Sequence, residues 1–168
     1  MSNTLYAFID RARIPNRSDL QLSVNALGFN LVIDEYYEPF ENSGFLPFLL
    51  DGRKGMGFEI FYEDAAELID QDDTLRAISA GRDYCISMSW GGSMADCACA
   101  MIICCALTKD FDASVSYEGD RPNTLAEMLA ETQDAVIEAA NESRTQTHGH
   151  SNPDISIKKS AWWKIWKS

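Results

Sequence analysis

The sequence has few histidines, few basic residues and no long hydrophobic run. It contains two histidines, and 14 Lys and Arg against 26 Asp and Glu, among 168 residues. Both histidines, His148 and His150, lie near the C-terminal end, so no Ser or Cys elsewhere has a recognisable histidine base. The acidic surplus argues against a nucleic-acid-binding body, which needs a basic patch. The longest apolar run, Ala98–Leu107, is much shorter than the roughly 20 residues that span a bilayer.

The N-terminal residues show no basic segment followed by a long apolar one, so we expect no secretory signal and a cytoplasmic location. A hydrophobic content of 46% is typical of a globular protein. The length fits one domain. We assign residues 1–143 to a single domain and residues 144–168 to a polar linker followed by a basic, Trp-rich tail.

Charge divides the chain at the same point. Residues 1–143 carry 25 acidic and 9 basic side chains, a formal net of −16, whereas residues 144–168 have a net of +4. The tail also holds Trp162, Trp163 and Trp166. These tryptophans either fold back on the acidic domain or contact a membrane surface or a partner. We expect no membrane contact, because anionic lipid repels an acidic body.

Cysteine is present in odd number, and four of the five cysteines occupy one apolar helix pattern. Cys97 and Cys99 would point about 200° apart, since each helical residue turns roughly 100°. Cys97 and Cys104 share a face, but no His or carboxylate follows them at ligand spacing. We therefore expect buried thiols rather than a zinc site, with no metal and no other cofactor.

Hydrophobic periodicity predicts a β-α-β start. Strands are expected at Leu5–Asp10 and Phe29–Asp34, around a short helix. Ser18 should cap this helix, with Gln21 at capping-box spacing, and Gly28 should end it. Further strands are predicted at Phe45–Leu50, Gly57–Tyr62, Asp83–Trp90 and Ala113–Glu118, the first confined to an edge by Pro47.

Two longer helices are predicted in the second half of the chain. Met94–Lys109 is apolar nearly all round and is capped by Ser93, so it should be the most buried helix. An amphipathic helix follows Thr124, with Glu127 at capping-box spacing. The acidic stretch Glu63–Asp73 offers a short helix or turn. The predicted fold is α+β: a two-layer sandwich with a mixed, mostly antiparallel sheet and helices packed on one face.

Sequence motifs for catalysis are weak. The turn Gly91-Gly92-Ser93 lacks the spacing of phosphate-binding loops, and Asp96 in the following first turn would repel phosphate. Acid–base chemistry needs two carboxylates in different environments, and no pattern places one in an apolar pocket. The adjacent carboxylates are therefore expected to be solvated or to meet a partner; they are Asp34/Glu35, Glu63/Asp64 and Asp72/Asp73. We expect no enzymatic activity.

Three segments together resemble the small acidic immunity proteins of bacterial toxin systems, such as those of polymorphic toxins and secretion-system effectors. They are Gly28–Asp34, Pro39–Pro47 and Ser89–Ala98, within a likeness that spans residues 4–118. The resemblance implies a cytoplasmic, non-enzymatic inhibitor that binds a cognate toxin. It implies no particular binding residues, because such families place them differently for each toxin. The alternatives are an adaptor that uses the Trp-rich tail and a small carboxylate-dependent enzyme.

The predicted partner surface combines an acidic-aromatic loop, Glu35–Gly44, with the acidic stretch Glu63–Asp73. Aromatic side chains would supply the large contacts, and carboxylates would steer a toxin that is basic at its contact surface. Alternatively, the aromatics pack inward and only the glutamates are exposed. The sequence leaves the oligomeric state open. The candidate contact residues are Glu35, Tyr36, Tyr37, Glu38, Phe40, Glu41, Glu63, Asp64, Glu67 and Asp70.

Overall fold

A six-stranded sheet forms the centre of the protein, in a computed structural model that describes residues 3–41 and 43–148. The strands are β1 (Asn3–Ile9), β2 (Leu31–Ile33), β3 (Gly44–Leu50), β4 (Arg53–Asp64), β5 (Tyr84–Trp90) and β6 (Ser114–Tyr117). Their order across the sheet is β2-β3-β4-β5-β1-β6. Each pair of neighbouring strands in this order is antiparallel. The sheet is therefore entirely antiparallel, whereas the prediction was a mixed, mostly antiparallel sheet.

Within the described residues, five α-helices pack against the sheet, which confirms the predicted α+β class. They are α1 (Arg17–Ala26), α2 (Ala65–Gln71), α3 (Leu75–Ser79), α4 (Met94–Phe111) and α5 (Leu125–His148), with a 3-10 turn at Arg11–Arg13. Helices α1, α4 and α5 cover one face and bury the main hydrophobic core.

The other face is also partly covered by helices, which corrects the one-face prediction. Both sides of β1 are apolar: Leu5 and Ile9 enter the main core, whereas Phe8 points to the opposite side. There α2 and α3 build a second, smaller core. Its buried members are Phe8, Ala65, Leu75, Ile78 and Cys85.

Beyond that second core, the half of the sheet formed by β2, β3 and the middle of β4 keeps exposed apolar side chains on the same face. We call this half the open sheet face. Its residues follow from the strand register, in which Val32 opposes Leu49 and Phe45 opposes Glu59. The open sheet face consists of Val32, Phe45, Pro47, Leu49, Glu59 and Phe61.

Helix α4 is the core helix that the sequence predicts. The Ser93 side chain accepts a hydrogen bond from the Asp96 amide at its start, and twelve of its eighteen residues are buried. All five cysteines are free and buried, as expected. Burial raises the pKa of the Cys97 and Cys99 thiols to about 12. The thiols are therefore protonated, packed side chains.

Helix α5 begins with the predicted capping box. The Glu127 carboxylate accepts from the Thr124 amide at 2.8 Å, and the Thr124 hydroxyl accepts from the Glu127 amide at 3.3 Å. The helix runs to His148, so it continues five residues into the segment assigned to the linker. The rest of that segment, with His150 and the Trp-rich tail, lies outside the described residues. The domain boundary itself stays a prediction.

Strand β3 does not lie at the edge of the sheet, contrary to the prediction from Pro47. It is flanked by β2 and β4. However, β2 pairs only with Phe48–Leu50, so Pro47 lies one residue beyond the paired segment. A missing backbone N–H is tolerated at such a position.

Helix α1 is capped by Asn16 rather than by Ser18. The Asn16 side chain accepts a hydrogen bond from the Asp19 amide at 2.9 Å, and Ser18 lies inside the helix. Starting earlier frees Gln21 from the predicted capping box. Its amide instead donates to the Leu31 carbonyl and accepts from the Ile33 amide, both at 2.8 Å.

Gln21 therefore occupies the outer edge of β2 in the way that a further strand would. Arg17 adds to this protection by donating to the carbonyl groups of Ile33 and Asp34 at 2.7 and 2.6 Å. Exposed strand edges invite pairing with other chains, and natural proteins commonly cover them. These two α1 side chains close the β2 edge.

Gln21→Glu is expected to destabilise the protein by about 1–3 kcal/mol, because the Leu31 carbonyl loses its donor and faces a carboxylate. Urea unfolding measures the change. Gln133→Glu, at an exposed position of α5, makes the same substitution without a strand edge and should leave stability nearly unchanged. Equal stability of the two variants would contradict the edge role of Gln21.

Candidate partner-binding surface

The two predicted acidic segments meet at one end of the sheet. The Phe40 ring, in the loop after β2, lies 5.4 Å from the Tyr62 ring and 5.6 Å from the Tyr84 ring, between centroids. The Arg11 guanidinium stacks over Phe40 at 5.1 Å and over Tyr84 at 4.8 Å. It also forms an ion pair with Asp64 at 3.8 Å. Arg11 thus joins the loop to the end of β4.

The loop aromatics divide between the inside and the outside. Tyr37 is 3% exposed, and its hydroxyl hydrogen-bonds to the hydroxyl of Tyr62. Burial raises the pKa of both phenols, so each stays neutral. Tyr37 therefore packs inward, as in the alternative stated from sequence, and its ring is not exposed on the predicted contact surface. Tyr36 is 78% exposed and Phe40 is 41% exposed, so these two rings are accessible to solvent, as the predicted partner surface requires.

A tight turn causes this division. The Asp34 carboxylate accepts from the Tyr36 amide at 2.9 Å, and the Asp34 carbonyl accepts from the Tyr37 amide at 3.2 Å. Asp favours such turns because its short side chain caps the next amides. The turn sends Tyr37 under the loop and Tyr36 into solvent. Phe40 has a φ of +69°, a conformation that non-glycine residues adopt rarely.

Most of the predicted carboxylates are exposed around these rings. Glu35, Glu38 and Glu41 lie on the loop itself. Asp64 faces the same side through Arg11, whereas Glu67 and Asp70 are exposed on α2. We call the loop 35–41 together with Asp64 the acidic rim.

Glu63 does not belong to the acidic rim. Alternation along β4 turns it to the face opposite Tyr62, where its carboxylate accepts from the Ser87 hydroxyl at 3.0 Å. Glu67 and Asp70 are carried by α2, which packs on that same opposite face. The ten predicted residues therefore do not form one patch.

Sequence reasoning missed the cations of this end and their aromatic neighbours. Arg13 pairs with Asp112 at 3.5 Å, and Arg82 pairs with the same carboxylate at 3.4 Å. Arg11 and Arg13 belong to one segment of the chain, and Arg82 and Asp112 come from two others. No local pattern indicates that they meet, so nothing in the sequence could have found the group.

Within the described residues, the other carboxylates and the cysteines do not form a metal site. In the described part of the chain, no three or more His, Cys, Asp or Glu side chains are grouped so that they could hold a metal ion. Asp72 accepts from the hydroxyl and amide of Thr74, which lower the pKa of its carboxyl group. The Asp96 carboxylate accepts a hydrogen bond from the Gly57 amide at 2.8 Å and so links the start of α4 to β4. Within residues 3–41 and 43–148, no helix is both long and apolar enough to cross a membrane.

Comparison of the chain with protein-family models, with curated proteins and with solved structures gave no significant match.

Proposed function

We propose that this chain is a non-enzymatic immunity protein that binds and neutralises a cognate bacterial toxin through the acidic rim. The observation that carries the proposal is the exposure of Tyr36 and Phe40 among Glu35, Glu38 and Glu41. The resemblance to small acidic immunity proteins, stated from sequence, supplies the class of partner.

The geometry supports two separable contributions to binding. Tyr36 offers a large exposed ring of the kind that fills pockets at the centre of interfaces. The surrounding carboxylates belong to a described body with 25 acidic and 10 basic side chains, a formal net of −15. Such a field accelerates encounter with a basic surface more than it strengthens the final complex.

The ion pair and stacking of Arg11 hold this surface in place before binding. Arg11 contacts Phe40 from the loop and Asp64 from β4 at the same time. A loop held in one conformation loses less conformational entropy when it binds. Arg11 is thus proposed to organise the acidic rim rather than to contact the toxin.

The double variant Glu38→Lys/Glu41→Lys is expected to associate with the toxin more slowly than the unmodified protein. Its association rate should also depend less on salt concentration. Exposed charges are screened beyond about 10 Å at 0.1 M salt, so the effect should fade as ionic strength rises. Association rates across a salt series, measured with a protein co-purified from the native host, test this. Loss of protection of cells that produce the toxin should accompany the rate change.

Asp134→Lys/Glu138→Lys is the matched control. It makes the same change in net charge on α5, away from the loop. Thermal stability should be close to that of the unmodified protein in both variants. Unchanged association in the loop variant, or an equal loss in both variants, would remove the acidic rim from the proposed function.

A further inference from the structure

The open sheet face is an apolar surface that the described elements leave without a covering helix. Phe45 is 64% exposed, Val32 is 41% exposed and Phe61 is 36% exposed. Strand pairing places them on adjacent strands with Pro47 and Leu49 between them. Contiguous exposed apolar side chains of this kind mark interaction sites on soluble proteins.

Two hollows extend this face. One, of about 520 Å³, is lined by Val32, Pro47 and Leu49 and reaches Lys54 and Gly55 at the start of β4. Arg17, Asp34 and Glu35 also line this hollow. The other, of about 290 Å³, lies beside Phe45, Glu59 and Ser89. The first hollow lies within the range of about 300–1,000 Å³ that is typical of ligand pockets, and the second lies just below it.

Helix α5 contacts the turn beside the first hollow through residues near its C-terminal end. The Arg53 guanidinium, at the β3–β4 turn, donates to the Ala139 carbonyl at 3.5 Å and to the Ser143 hydroxyl. Lys54 and Gly55, which line the hollow, directly follow Arg53 in the chain. Residues 149–168 therefore continue from a helix that passes the turn bordering the open sheet face.

The reach of the segment after α5 can be compared with the width of the open sheet face. The thirteen residues between His148 and Trp162 span up to about 43–47 Å when extended. Neighbouring strands lie about 4.8 Å apart, and packed layers about 10 Å apart. An extended segment is therefore longer than the width of the three strands and the thickness of one packed layer together.

Composition and charge match the segment to this face. Residues 149–168 carry Trp162, Trp163 and Trp166, four lysines and one aspartate, a net of +3. A tryptophan buries about 150–250 Å² and places its N–H near polar groups. The face offers apolar side chains with Glu59 among them and Glu63 nearby on β4, in a described body of net −15.

We propose that residues 158–167 dock on the open sheet face of the same chain. The tryptophans cover Val32, Phe45 and Phe61, and the lysines lie near Glu59 and Glu63. This docking does not depend on the proposed toxin binding, because Tyr36, Phe40 and Glu41 lie outside both the open sheet face and its hollows, although Glu35 borders the first hollow.

Acrylamide quenching of tryptophan fluorescence tests the docking in the full chain. Trp90 is 5% exposed and gives a shielded background, so changes in quenching report on the three tail tryptophans. We expect them to be shielded in the unmodified protein. Phe45→Asp and, separately, Val32→Asp should raise the quenching constant of the tail severalfold.

Leu22→Asp is the matched control, since Leu22 is an aliphatic residue that is 66% exposed on α1. It should leave quenching unchanged. Tail tryptophans as accessible in the unmodified protein as in unfolded chain, or equal effects of face and control variants, would overturn the proposal. Shielding that disappears on dilution would assign the face to a second copy and would overturn it as well.

Carbodiimide cross-linking of the unmodified chain gives an answer that needs no variant to fold. Docking predicts bonds between Lys158, Lys159, Lys164 or Lys167 and the carboxylates of Glu59 or Glu63 within one chain. Mass spectrometry of the monomer locates these bonds. Cross-links of the tail lysines exclusively to carboxylates of the acidic rim would contradict docking on the open sheet face.

Discussion

Replacing Ile102 by alanine is expected to lower the free energy of unfolding by about 2–5 kcal/mol, because it deletes a fully buried side chain and leaves a cavity. Ile102 is 0% exposed and lies in the middle of α4. That helix packs against the sheet on one side and between α1 and α5 on the other. Neighbours on several elements cannot all move inward, so relaxation would fill little of the space.

Urea unfolding measures the loss as a lower midpoint with an unchanged slope. Ile137→Ala is the matched control, because Ile137 is 55% exposed on α5 and its truncation opens no cavity. That variant should stay within about 0.5 kcal/mol of the unmodified protein. A loss below 1 kcal/mol for Ile102→Ala would show that α4 is not the rigid centre of the core.

Gly57→Ala is expected to destabilise the protein by about 1–3 kcal/mol or more, because the added methyl group overpacks a close strand contact. A Cβ atom at Gly57 would lie 2.3 Å from the Leu46 carbonyl oxygen and 2.7 Å from the Phe45 ring. The ring can turn away, but the carbonyl belongs to the backbone of β3. Moving it would disturb strand pairing and the hydrogen bond from the Gly57 amide to Asp96.

Gly91→Ala provides the comparison. A Cβ atom there meets no other atom within 4 Å, and the backbone has no positive φ. Its effect should lie within about 0.5 kcal/mol, as for most surface substitutions. Thermal unfolding of the two variants side by side measures the difference. Similar melting temperatures would mean that β3 yields easily at this contact.

Local sequence patterns were sufficient for the buried helix α4 and for the caps of α4 and α5, though not for the cap of α1. The continuous apolar run of α4 predicts burial on all sides, and Ser93 caps it as expected. Thr124 and Glu127 form the predicted capping box of α5. Each cap depends on residues within one turn of each other, and among the described residues no distant group competes for the capping side chains of these two helices.

Other elements differ because distant residues compete for the same groups. Gln21 lies at capping-box spacing in the sequence, but its side-chain amide hydrogen-bonds to the backbone of β2 instead. Asn16 caps the helix, which therefore starts two residues earlier than predicted. The second helical layer was missed because a strand that is apolar on both sides, such as β1, does not say which elements cover each side.

The candidate site shows the same limit at the level of single side chains. Composition determines that the loop after β2 is acidic and aromatic, and that the chain separates an acidic body from a basic tail. Only the tertiary structure decides that Tyr37 turns inward to Tyr62 while Tyr36 stays in solvent. It also brings Arg11 to Phe40 from a segment almost thirty positions away. Sequence determines which groups are available; packing determines which of them face water, since burial depends on neighbours that local periodicity does not encode.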